Sequence, residues 1–143
     1  MRYVLTAFLG LALAACSSVQ PVPIQAGDTC SACKRAITES KLGAELLADS
    51  GTATKFHSPG CMAKYLKDNS LDGRSILVTD YTTGELISVA NALFVRAKVD
   101  QAGSEREFYA FRKAADAAKF AEDKLSSVVD WAAVRTIAGA EAN

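Results

Sequence analysis

Two short stretches place the tightest demand on how this chain can fold. Cys30-Ser31-Ala32-Cys33 offers two thiols, and Lys55-Phe56-His57-Ser58-Pro59-Gly60-Cys61-Met62 offers an imidazole, a third thiol and a thioether. His57 is the only histidine, and Met62 is the only methionine besides the first residue. These are the side chains that soft metal ions select. If they form one site, a segment near residue 30 must be folded back onto the start of an element near residue 58.

The first fifteen residues read as a targeting segment and not as part of the fold. Arg2 supplies a short positive region, and Tyr3 to Ala15 is an apolar run broken only by Thr6 and Gly10. That run is too short for a transmembrane helix and suits a secretory signal. It ends in Leu13-Ala14-Ala15-Cys16, which resembles a bacterial lipobox, so residues 1–15 are expected to be removed and Cys16 to carry lipid. An ordinary secretion signal with an incidental cysteine is the alternative. The expected product is anchored in the cell envelope by lipid, faces the periplasm and does not span the membrane. Ser17 is not the aspartate that retains such proteins at the inner membrane, so inner or outer membrane is left open.

Lipidation of Cys16 leaves Cys30, Cys33 and Cys61, an odd number where disulfides are permitted. A pure disulfide framework would strand one thiol, whereas three thiols with His57 would satisfy a metal. Cys30-x2-Cys33 with His57-x3-Cys61 is the ligand set of a Cys3His zinc site, and the same donors suit Cu(I). For Cys30 and Cys33 a disulfide stays open. Thiol-disulfide exchange is disfavoured because a proline-bearing segment, not a strand, precedes the pair. Cys61 is expected in a first helical turn behind Ser58 and Pro59, where free N–H groups favour thiolate. Met62 points about 100° away around that helix, so Met62 and His57 compete for the last ligand position.

The rest of the chain reads as an α+β domain. Residues 16–26, with Pro21 and Pro23, read as a tether, 27–138 as the domain and 139–143 as a tail. Strands are expected over 43–49 and 52–56 about a Ser50-Gly51 turn, then a helix from Pro59 to Asn69. Further strands are expected over 74–82, 86–89, 92–98 and 107–111. A helix then presents Ala114, Ala117, Phe120, Ala121 and Leu125 on one face, and Val128, Trp131, Ala132 and Val134 pack near the end. Two strands followed by a helix thus occur twice, which suggests two similar ββαβ-type units. Basic and acidic residues balance at 16 each, with no basic run, which argues against a nucleic-acid partner. No phosphate-binding glycine loop is present, and a lone histidine two residues before a proline offers no Ser-His-Asp arrangement.

Gly27-Asp28-Thr29-Cys30-Ser31-Ala32-Cys33, Ala44-Glu45-Leu46, Lys55-Phe56 with Gly60-Cys61-Met62, and Val78-Thr79-Asp80-Tyr81-Thr82-Thr83-Gly84-Glu85 occur in an order and spacing that resemble the NosL family. These are lipid-anchored copper-binding accessory proteins of nitrous oxide reductase. The resemblance runs from about Gly27 to Trp131. It implies a fold of two small ββαβ-type units and a non-enzymatic copper chaperone that carries Cu(I) to a copper enzyme. The chain is a divergent member by this reading. Arg35 stands where the family usually has methionine, His57 where aspartate is common, and Ala102-Gly103-Ser104-Glu105 replaces a Pro-Met-Gly-type segment. The resemblance and the residues together nominate Cys30, Cys33 and Cys61 as donors, with His57 or Met62 completing the set.

Overall fold

The computed structural model describes residues 19–141. The expected signal segment and Cys16 lie outside the described residues. The chain forms β1 (Ala44–Leu47), β2 (Ala53–Phe56), α1 (Pro59–Asp68), β3 (Ser75–Thr79), β4 (Leu86–Ser88), β5 (Leu93–Lys98), β6 (Arg106–Phe111), α2 (Ala114–Asp123), β7 (Val128–Val129) and α3 (Trp131–Ala140). One sheet has the order β2-β1-β3-β4 and the other β6-β5-β7, with every pairing within them antiparallel. The expected repetition is therefore present. In each unit the first strand lies between its hairpin partner and the strand that follows the helix.

Local chemistry explains most of the elements. Gly51 takes φ +85° in the turn between β1 and β2, a conformation that glycine adopts without steric cost. Pro59 sits at the start of α1, where its missing N–H costs nothing, and Ser58 caps the helix. The β5–β6 ladder alternates: Phe94, Phe108 and Ala110 face the larger core, while Val95, Ala97, Tyr109 and Phe111 face a second core under α2. In that second core Tyr81 meets Tyr109 edge-on at 4.8 Å, and Phe120 completes the aromatic cluster. The two sheets are joined where the Tyr81 N–H donates to the Ala110 carbonyl at 2.8 Å.

Four expectations are corrected. Leu125 does not extend the apolar face of α2: the helix ends at Asp123, and Leu125 takes φ +50° with its side chain 97 % exposed. Ala114 at the start of that face is exposed, and so are Val128 and Ala132 near the end of the chain. The tail expected from residue 139 begins inside a helix, because α3 runs to Ala140 with Ala138 fully buried. Asp130 caps that helix by accepting the Ala133 N–H at 2.9 Å, and Glu141 then pairs with Arg96. Finally, the later part of the expected tether lies on the first sheet. The Val22 N–H donates to buried Glu45, and Ile24 packs so closely over Gly43 that a Cβ there would stand 2.7 Å from it.

The packing of α3 can be tested by substitution. Ala138→Asp buries an unpaired charge and should strongly lower the melting temperature. Phe94→Ala, which removes the ring that meets Trp131, should cost about 3–5 kcal/mol. Ala132→Lys should change stability by no more than about 0.5 kcal/mol. Denaturant unfolding measures all three. A harmless Ala138→Asp would contradict the docking of α3.

Candidate metal centre

The site begins with a tight knuckle. The Cys30 N–H donates to the Arg35 carbonyl and the Lys34 N–H to the Cys30 carbonyl, both at 2.9 Å. The Ser31 N–H donates to the Lys55 carbonyl at 2.8 Å, which ties the knuckle to the end of β2. Lys55 strengthens that tie, reaching Asp28 at 2.7 Å and the Pro23 carbonyl at 2.8 Å. His57 follows β2 directly, and Cys61 lies in the first turn of α1, its N–H donated to Ser58 Oγ at 3.1 Å. Helix α1 can approach β6 because residue 60 is glycine: a Cβ there would stand 3.2 Å from the Phe108 ring. That approach brings Glu107 to His57.

Cys30, Cys33, Cys61 and His57 converge, with one donor atom from each all within 4.8 Å of one another. Cys30 Sγ lies 3.5 Å from Cys61 Sγ, and His57 Nδ1 lies 3.4 Å from the sulfurs of both Cys30 and Cys33. Cys30 and Cys61 are buried, and Cys33 is exposed. Met62 is fully buried in the larger apolar core, which also contains Cys30 and Cys61. Three thiols and an imidazole at this spacing match the chemistry of a soft or borderline metal ion.

The charges differ from the expectation at Cys61. Burial pushes the Cys61 thiol up, and the pull of His57 does not offset burial together with the neighbouring Cys30. The Cys61 N–H is taken by Ser58, so the helix start offers that sulfur little. Burial opposes ionisation at Cys30 too, but N–H groups of Cys33, His57 and Ala32, with the His57 ring, bring it down to about 6. Cys33 is lowered by the Arg35 backbone and guanidinium, working against burial and Cys30. His57 is pushed up to about 11, first by Cys61 and Glu107 and further by Cys30, against burial. At neutral pH the knuckle thiolate therefore faces an imidazolium, and a metal must displace the ring proton to use its nitrogen.

Three residues that sequence reasoning did not nominate surround this cluster. Glu107 Oε1 lies 3.1 Å from His57 Nε2, and the contact holds the Glu107 carboxyl below its ordinary value despite burial. When the ring is neutral, an Nε2–H donated to Glu107 leaves the Nδ1 lone pair toward the sulfurs, the arrangement carboxylates impose on metal-binding histidines. Arg35 Nη2 stands 3.3 Å from His57 Nε2 and 3.4 Å from Glu105 Oε1, at the solvent side. Glu107 is fifty residues from His57, and no local pattern marks it. Arg35 carried a signal only as a cation two places after the second cysteine of a metal-type pair.

A model of the NosL family matches residues 21–137. No curated protein sequence matches the chain. Among solved structures, the copper chaperone NosL from Shewanella denitrificans aligns with a TM-score of 0.63 at 17% identity. That alignment covers 79% of this chain and 93% of that one, and at such identity it speaks for a shared fold. With the family match spanning most of its length, the chain belongs to the NosL family.

Proposed function

We propose that this protein is a copper chaperone: an extracytoplasmic lipoprotein, anchored through Cys16, that binds one Cu(I) and hands it to a copper enzyme during maturation. The observation that carries this reading is the convergence of Cys30, Cys33 and Cys61 with His57 Nδ1. Thiolates favour Cu(I), and the set contains no carboxylate or hydroxyl that would favour a harder ion. The copper chaperone from Shewanella denitrificans shares the fold. Family membership also supports a carrier in preference to an enzyme. A client of the nitrous oxide reductase type follows from the family resemblance.

In this reading Cys30, Cys33 and Cys61 are the thiolate ligands and His57 completes the set, with Met62 left to the core. Two buried sulfurs retain the ion, and exposed Cys33 is the ligand that a partner's donor can replace first. Cu(I) accepts two or three sulfur donors, so one ligand can be exchanged while the others hold. A structural Zn(II) site would use the same four residues. It would differ in making the metal a condition of folding.

Competition with a Cu(I) indicator should show about one Cu(I) per reduced chain, as a single compact cluster requires. Cys61→Ser should lose that binding. Glu107→Gln should weaken it by about 10–100-fold, the usual effect of removing a ligand-orienting partner. Met62→Leu, close in volume, should leave it unchanged. Unimpaired binding by Cys61→Ser would refute the ligand set. Tightly held zinc in isolated protein that unfolds when the metal is stripped would favour the structural reading.

Acid should weaken binding, and the fall should steepen where Cys30 begins to take up its own proton. Cys30 is thiolate above about 6 and takes a proton below it, so Cu(I) affinity should fall steeply as pH drops from 7 to 5. The same indicator competition at several pH values measures this. Flat affinity across that range would contradict the role of Cys30.

A further inference from the structure

His57 has a second face. A ring nitrogen of His57 and one carboxylate oxygen each from Glu105 and Glu107 lie within 4.8 Å of one another, and Glu107 meets the ring at Nε2, the nitrogen not facing Cys30 and Cys33. These atoms border a groove of about 220 Å³ that is also lined by Arg35, Thr38 and Glu39, with room for water beside the donors. Arg35 already holds a positive charge there, its guanidinium set between Glu105 and the ring nitrogen. The Arg35 and Glu105 side chains are 60% and 58% exposed, so either can swing aside at little packing cost. The two carboxylates face an arginine cation and a ring N–H. One divalent ion could take the place of both.

We propose that the carboxylate-and-imidazole face of His57 is a second metal site, which takes a hydrated divalent cation through Glu105, Glu107 and Nε2. Two carboxylates, one imidazole and water form a harder donor set than the sulfur cluster behind them. The shared ring couples the two sites. While the ring keeps one proton, a cation on Nε2 places it at Nδ1, pointing at the sulfurs. Cu(I) on Nδ1 requires that proton at Nε2, donated to Glu107. Each occupant therefore disfavours the other. This antagonism rests on His57 being a Cu(I) ligand, whereas the divalent site itself does not depend on that reading.

Mn(II) is a suitable probe, since it avoids thiolates and broadens the NMR signals of nearby residues. In the reduced full chain, low Mn(II) should selectively broaden the amide signals of residues 57, 105 and 107. Glu105→Gln, at an exposed position, should lose that broadening and still bind one Cu(I). Loading Cu(I) first should diminish it in the unsubstituted protein. Broadening spread over unrelated acidic residues, or undiminished in Glu105→Gln, would overturn the site. Broadening indifferent to Cu(I) would overturn the antagonism. If Cu(I) binding itself fails while the Mn(II) effect stands, the copper reading falls and this site survives.

Discussion

The buried hydroxyl of Ser58 accepts the Cys61 N–H, and Pro59 sets the first turn of α1, so the chain passes from β2 into the helix without slack. That joint holds His57 and Cys61 at a fixed separation. The knuckle then docks against the same joint through the Ser31 N–H and the Lys55 carbonyl, which delivers Cys30 and Cys33. Two backbone-level constraints therefore position all four donors. Because the joint is tied to β1 through the hairpin and to β6 through the contact at Gly60, the site inherits the rigidity of the larger core.

The cost of this arrangement is electrostatic. Cys30 and Cys61 are buried and their sulfurs are 3.5 Å apart, so ionising both is unfavourable. The chain answers with N–H groups around Cys30 and a charged ring at His57, itself held by Glu107. A metal ion with positive charge among these sulfurs would relieve the same repulsion. The proposed Cu(I) would thus meet a cluster whose negative charge is already balanced by a cationic ring. Glu107 serves both conditions: it stabilises the charged ring and orients the neutral one.

Much of this was legible in the residues, for identifiable reasons. Ser58-Pro59 is a local signal for a helix start, and the Ser50-Gly51 turn is a local signal for a hairpin, so the elements flanking His57 could be read directly. The spacing of cysteines and histidine suggested one cluster, and the fold brings those four side chains together. What escaped was non-local. Glu107 reaches His57 only because α1 packs on β6, and the order of acidity among the thiols depends on which N–H groups the caps consume. Cys61 looked favoured by the helix start, yet Ser58 had already claimed its amide. The residues from 139 onward resembled a frayed tail, although Asp130 was an available cap for a helix that runs on to Ala140, with Val134 and Ala138 one turn apart on its buried side.

The central claim is that one Cu(I) sits among three cysteine sulfurs and His57. X-ray absorption of the Cu(I)-loaded chain tests it most directly. The account predicts a sulfur-dominated first shell with imidazole outer-shell scattering that disappears in His57→Gln. A shell dominated by oxygen or nitrogen, or an unaltered spectrum in His57→Gln, would contradict it.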